Sequence, residues 1–247
     1  MPKPLAGKTI FLTGTQKIQT IAEQVEEYGG KVLAFPLITI QERISWDDEE
    51  RICNSAKYDW LIFTSQNAVE HYMNKLRRAN LSPSAISCKI AAVGIKTAKA
   101  LQDEGFDIDF MPTIFSADRF VQEFPGNAVD VHCLFLRGSL AKSTIRDALL
   151  CDEWTVYETV ETTEHVGALA ESLLQEKEPV VIFASPSAVR IYAKYIVPDL
   201  HWRYVTVASI GHITTAVLKE YGARVDVQPS VYTMQAVIER LIGGVSS

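Results

Sequence analysis

The residues with the most chemistry to offer are hydroxyls and amides gathered in six short segments: Thr13-Gly14-Thr15, Thr64-Ser65-Gln66-Asn67, Gly94 to Thr97, Arg137-Gly138-Ser139, Ser185-Pro186-Ser187 and Gly211 to Thr214. Each follows a short apolar run, and most open a stretch of helical periodicity. The first-turn amides of a helix and its dipole favour anions. Thr13, Ser65, Asn67, Thr97, Arg137, Ser185, Ser187 and Thr214 are therefore the candidate ligand-binding residues. Taken singly, each serine, threonine or asparagine reads first as a helix N-cap. Six such segments together indicate a ligand with many acidic groups, held mainly by backbone amides and hydroxyls.

Other chemistries find little support. His71, His132, His165, His201 and His212 have no metal-ligand spacing, and only His212 falls in one of these segments. Gly7-Lys8-Thr9 lacks the upstream glycine of a phosphate loop, and no GxGxxG occurs. Thr13-Gly14-Thr15 resembles the start of a flavodoxin FMN loop, but Gln16-Lys17-Ile18 does not continue it. Asp47-Asp48-Glu49-Glu50 after Ser45 reads as a helix start whose acidic residues meet the dipole. Cys53, Cys88, Cys133 and Cys151 lie far apart and read as reduced thiols. Tyr157 is the one phenol in an extended connector expected to line the gap between two lobes; its alternative is a packing or ribbon tyrosine.

Composition narrows the classes. The chain has 247 residues, 47% hydrophobic and 22% charged, which excludes disordered and fibrous proteins and favours two domains. No apolar run approaches a membrane helix, no export signal precedes the first strand, and a cytoplasmic protein is expected. A net charge of −6 with no Lys/Arg tract gives no footprint for nucleic acid or anionic lipid.

An internal repeat positions these segments. Ile62–Val69 matches Ile182–Val189 with five identities in eight, at an offset of 120. Gly94, Thr97, Leu101, Gly105, Asp109 and Pro112 match Gly211, Thr214, Leu218, Gly222, Asp226 and Pro229 at 117. Phe11-Leu12-Thr13-Gly14 aligns more weakly with Phe135-Leu136-Arg137-Gly138 at 124. Constant order and near-constant offset indicate a duplicated α/β unit. Buried strands are expected near 9–13, 31–35, 60–64, 89–93, 108–111, 133–136, 180–184, 205–209 and 225–227. Helices are expected near 18–28, 67–79 and 97–104. Apolar strands separated by helices imply parallel sheets covered on both faces, here two flavodoxin-like, doubly wound units. Gly105 and Gly222 stand at helix C-termini, Ser116 and Thr233 at N-caps. Pro36–Ile44 and Trp154–Thr163 alternate and extend. They are expected to pair as an antiparallel two-strand ladder joining exchanged domains, residues 1–37 with 161–247 and residues 38–160. A simple tandem is the alternative.

Together these residues resemble the uroporphyrinogen-III synthase family. The resemblance rests on Phe-Thr-Ser-x-Asn-Ala-Val at 63–69, Val-Gly-x-x-Thr-Ala at 93–98, Phe-x-Ser-Pro-Ser-Ala-Val at 183–189, Ile-Gly-x-x-Thr at 210–214, Gly222, Pro229 and Val-Tyr-x-Thr at 156–159. It covers nearly the whole chain. It implies a cofactor-free lyase that takes linear hydroxymethylbilane, loses water and closes the tetrapyrrole with ring D inverted through a spiro intermediate. It implies Tyr157 as the catalytic residue beside the substrate, and no metal. A monomer and a transient hand-off from hydroxymethylbilane synthase are expected. The substrate's eight carboxylates suit amide-rich loops, which reconciles an acidic protein with an anionic ligand. The chemistry is mainly positioning, with one weak acid at the departing hydroxyl. Where the family often carries Arg-Pro after the first strand, this chain has Thr13-Gly14. Lys17 or Arg137 then supplies the missing charge, or the chain is a paralogue with altered activity. A non-catalytic tetrapyrrole-binding module and an FMN-binding flavodoxin-like protein are the rival readings.

Overall fold

The computed structural model describes residues 3–15, 18–126 and 131–244, with the side chains of 18–20 left aside. In chain order its elements are β1 (Lys8–Leu12), α1 (Ile18–Glu27), β2 (Lys31–Ala34), β3 (Ile38–Glu42), α2 (Asp48–Ser55), β4 (Trp60–Phe63), α3 (Gln66–Arg78), β5 (Lys89–Ala92), α4 (Ile95–Asp103), α5 (Ala117–Glu123), β6 (Cys133–Gly138), α6 (Thr144–Leu149), β7 (Asp152–Glu161), α7 (Val166–Gln175), β8 (Glu178–Phe183), α8 (Pro186–Tyr195), β9 (Thr206–Ser209), α9 (His212–Glu220) and α10 (Met234–Ile242). The fold is mixed α/β, with two sheets dominated by parallel pairing.

The chain divides into two compact units, Met1–Thr39 with Val160–Ser247, and Ile40–Thr159. In the first, the strand order is β2-β1-β8-β9, and a parallel bridge from Ala208 to Val227 adds a fifth position. In the second it is β3-β7-β6-β4-β5, extended by a bridge from Ala91 to Phe110. With β1 and β6 as equivalent first strands, each parallel core follows the flavodoxin-like order 2-1-3-4-5. In the second unit the third, fourth and fifth strands precede the first two in sequence.

Alternation explains why the strands are apolar throughout. Ile10, Leu12, Val180 and Ile182 enter one core of the first unit, and Phe11, Val181 and Phe183 enter the other. Leu61, Phe63, Leu134 and Leu136 face one core of the second unit, and Trp60, Ile62, Cys133 and Phe135 the opposite one. Successive side chains point to opposite faces, so a strand with helices on both sides must be apolar at every position.

Ser65, Ser116, Ser185 and Thr233 accept the backbone N–H three residues on, as N-caps do. Gly29, Gly105 and Gly222 follow helices with φ of +85, +94 and +79°, conformations that favour glycine.

Two expectations change. The extended segment beginning at Trp154 is not a separate connector: β7 starts at Asp152, pairs in parallel with β6 and is the second strand of its own sheet before it runs on. The expected strands at 108–111 and 225–227 contract to single bridges. The chain passes from one unit to the other along β3 and returns along β7. In the first unit Thr162 N–H donates to the Leu37 carbonyl at 3.0 Å; in the second Arg43 N–H donates to the Val156 carbonyl at 3.0 Å.

Candidate active site

The carboxyl edge of the second sheet brings two of the candidate site residues, Ser65 and Tyr157, together with Gly138 and His71. β6 ends at Gly138, and β7 passes beside it with Tyr157 as the register partner, after a register shift between Arg137 and Gly138. A Cβ at residue 138 would lie 2.6 Å from the Tyr157 hydroxyl oxygen and inside the ring's van der Waals envelope. Only glycine leaves room for the phenol there. Ser65 caps α3, and its Oγ lies 3.1 Å from the Tyr157 hydroxyl while accepting the Ala68 N–H at 3.1 Å. The ring of His71, one helical turn and a half further along α3, lies 5.7 Å from the Tyr157 ring. His71 is buried, and its Nδ1 has no hydrogen-bond partner among the described residues.

Either hydroxyl can donate in the Ser65–Tyr157 hydrogen bond, and one of the two arrangements suits proton delivery. A serine hydroxyl has one hydrogen and two lone pairs. With one lone pair taken by Ala68 N–H, Ser65 can donate its hydrogen to the phenol oxygen and leave the phenol hydrogen for a ligand. The same donation would stabilise a phenolate after the proton has left.

The other candidates divide. Asn67 and Ser187 are half-buried in the first turns of α3 and α8, and Ser185 caps α8 by accepting the Ala188 N–H at 3.3 Å. α4 and α9 start at Gly94 and Gly211 with no side-chain cap; Thr97 N–H turns back to the Gly94 carbonyl at 3.0 Å and Gly211 N–H donates to Ser209 Oγ at 3.3 Å, while the other first-turn amides have no side-chain acceptor among the described residues. Four of the expected ligand residues are buried or paired within their own unit. Thr13 is fully buried and donates its hydroxyl to the Ile182 carbonyl at 2.9 Å. Thr97 is buried on the α4 face that carries Leu101, and Thr214 on the α9 face that carries Leu218. Arg137 is committed inside the unit: its guanidinium pairs with Glu153, donates to the Ala141 carbonyl and reaches the Gly138 carbonyl at 3.2 Å. It leaves no free cation for a ligand. Lys17, the other expected source of charge, lies outside the described residues.

Gly138, His71 and the half-exposed aromatics Phe115 and Tyr232 were not singled out as site residues from sequence. The Gly138–Tyr157 pairing depends on the register shift, which sequence does not show. A cavity of about 370 Å³ lies elsewhere in the second unit, at the amino end of β7. Its lining includes Asp47, Glu50, Asp152 and Glu153 against the single cation Arg51, a poor setting for an anionic ligand. Among the described residues no group of three or more metal-ligating side chains occurs, and no helix is long and apolar enough to cross a membrane.

Two compact units, each built on a parallel sheet in the flavodoxin-like order, define a doubly wound α/β protein. The comparisons narrow this. The family model described as uroporphyrinogen-III synthase HemD matches residues 19–239. A uroporphyrinogen-III synthase of Synechococcus elongatus is 30% identical over 96% of this chain and 95% of its own length. One of Chlorobaculum parvum is 26% identical over 91% and 94%. A crystal structure of the uroporphyrinogen-III synthetase from Helicobacter pylori superposes with a TM-score of 0.66 at 22% identity, covering 96% of this chain and 99% of that one. The chain belongs to the uroporphyrinogen-III synthase family, the cyclising lyases of tetrapyrrole biosynthesis.

Proposed function

We propose that this chain closes linear hydroxymethylbilane to uroporphyrinogen III with Tyr157 as the proton donor. The observation that carries the reading is the Tyr157 hydroxyl 3.1 Å from Ser65 at the carboxyl edge of its sheet, on the glycine that leaves it room. The phenol hydrogen passes to the terminal hydroxyl as the carbon–oxygen bond breaks, and water departs. The pyrrole nitrogen lone pair fills the electron deficit left on carbon, giving an azafulvene. The substituted carbon of ring D attacks that carbon, forming the spiro intermediate, whose rearrangement inverts the ring. Ser65 holds the phenol oxygen throughout. The resulting phenolate regains a proton when the final pyrrole carbon loses one, so the protein ends unchanged.

The carboxylates are held by first-turn amides of α3, α4, α8 and α9, with Ser65, Asn67, Ser185 and Ser187 at the edge. Thr13, Thr97, Thr214 and Arg137 shape these loops without touching the ligand. The lobes 1–37 with 161–247 and 38–160 act as the two binding modules. The protein works as a cytoplasmic monomer and receives its unstable linear substrate by transient hand-off from hydroxymethylbilane synthase.

The test is incubation of the wild-type chain with freshly generated hydroxymethylbilane, followed by separation of the type I and type III products. The reading expects predominantly type III. Type I alone, at the rate without protein, overturns it.

A further inference from the structure

The duplication repeats a surface feature that the reaction described above does not use. After the fifth-strand bridge of each unit, a loop runs to the N-cap of the next helix at Ser116 or Thr233. Its last two residues are Ile114-Phe115 in one copy and Val231-Tyr232 in the other, related by the 117-residue offset. Their exposures match closely: 57 and 51% in the first pair, 61 and 52% in the second.

Local packing accounts for only one side of each aromatic. A hydrophobic residue just before an N-cap normally staples to the residue four beyond the cap. Those positions are Phe120 and Val237, both fully buried. Both aromatics also stand beside the glycines that start α4 and α9, Tyr232 through its ring and Phe115 through its Cβ. A Cβ at Gly94 would lie 3.9 Å from the Phe115 Cβ, and one at Gly211 would lie 2.9 Å from the Tyr232 ring. The His212 ring stands 5.1 Å from the Tyr232 ring. Ile95 and Ile213, at the same two helix starts, are also more than half exposed. Each unit therefore carries, at the carboxyl edge of its sheet, an aromatic beside the glycine that starts the next helix, about half exposed to solvent. In each copy the adjacent exposed residues form a small apolar patch, the kind of surface that contacts a ligand or partner.

We propose that Phe115 and Tyr232 are substrate-positioning residues, each presenting an apolar face to a pyrrole ring of the tetrapyrrole. The inference rests on the function proposed above. Its chemistry is complementary to the amides. A substrate with carboxylates on its rim and electron-rich flat rings needs hydrogen-bond donors for the first and flat aromatic faces for the second. Edge and stacked aromatic contacts supply orientation as well as attraction. Tyr232 acts through its ring, so its hydroxyl is dispensable.

The experiment compares Phe115→Ser, Phe115→Leu, Tyr232→Ser and Tyr232→Phe with wild type, using fresh hydroxymethylbilane. KM, kcat and the type III share of product are measured, with thermal melts and light scattering alongside. Either serine variant is expected to raise KM by about 3- to 10-fold, with kcat changed less. The type III share should fall as unbound bilane closes by itself. Phe115→Leu keeps the staple volume without the flat face, so it separates recognition from folding and should show most of the KM increase. Tyr232→Phe should match wild type. Wild-type KM and type III share in Phe115→Leu and Tyr232→Ser overturn the proposal while leaving the enzymatic reading intact. So does a serine variant that dissociates an oligomer and leaves KM unchanged, because the faces would then serve a second copy of the chain. If the wild type makes no type III product, the underlying function fails first.

Discussion

The Tyr157 hydroxyl lies 3.1 Å from Ser65 Oγ, and Ser65 is at the same time the N-cap of α3, accepting the Ala68 N–H. One serine thus fixes a helix start and orients a phenol on the neighbouring part of the sheet. Ser65→Ala removes both functions. A lost N-cap costs about 1 kcal/mol, and loss of the hydrogen bond to the phenol should lower kcat several-fold. Ser185→Ala deletes the equivalent cap in the other unit. It should cost similar stability, with its effect on KM and not on kcat. Chemical denaturation with steady-state kinetics on both variants checks the split.

Gly138 is the complementary device, since it supplies the space the phenol occupies. A Cβ there would meet the Tyr157 ring at distances no real structure tolerates. Gly138→Ala should displace the ring and lower turnover as much as losing the hydroxyl does. The double variant Gly138→Ala/Tyr157→Phe should be little worse than either single change. Additive losses would show that the glycine acts elsewhere.

A buried ion network ties α3 to the segment from β3 to α2 in the second unit. Lys75, with a side chain 1% exposed, donates to Asp48 at 2.5 Å and the Arg43 carbonyl at 2.6 Å, and stands 3.4 Å from Glu42. Lys75→Met leaves two carboxylates under-compensated and should cost about 3 kcal/mol, with kcat retained. For Glu42, burial works against ionisation, but the hydrogen bond from Arg78 and the charges of Lys75 and Arg78 outweigh it. The carboxyl is held below its usual value of 4.5. A depressed carboxyl stabilises the fold above its unfolded value. That contribution is full at neutral pH and is lost as pH falls below about 4.5 toward the folded value. Stability against pH for wild type and Glu42→Gln should converge in acid and separate above it.

The thiols divide by burial. Burial pushes Cys133 up to about 11 and Cys151 up to about 12, while Cys53 is exposed. The thiolate is the reactive form. Iodoacetamide at pH 8 should label Cys53 readily and spare Cys133 and Cys151 until denaturant is added, as peptide mapping would show.

Much of the fold was legible because its physics is local or repetitive. Strands such as Val180–Phe183 must be apolar at every position when two cores take alternate residues, and Ser65 and Ser185 cap helices through bonds three residues long. The site was less legible where partners are distant in sequence. Arg137 looked like a free cation, yet Glu153 and the Ala141 carbonyl consume its guanidinium. Thr97 and Thr214 sit in segments that face the carboxyl edge, but their helix phase, shared with Leu101 and Leu218, turns them toward the core. β7 reads as a ribbon because its residues alternate, and only its pairing with β6 makes it a sheet strand. Tyr157 was visible as a lone phenol in an extended run. Its contact with Ser65 depends on the register shift at Gly138.

The central claim is that the Tyr157 phenol donates the proton on which water departs. The most direct measurement is type III turnover of Tyr157→Phe on fresh hydroxymethylbilane, with the fold checked by circular dichroism. Positioned proton donation is worth at least about a hundredfold in typical cases, but the pyrrole assists its own ionisation here. The account therefore predicts a loss of up to about a hundredfold in kcat, with KM and stability little changed. Wild-type kcat in Tyr157→Phe would contradict it and leave catalysis to positioning by backbone amides.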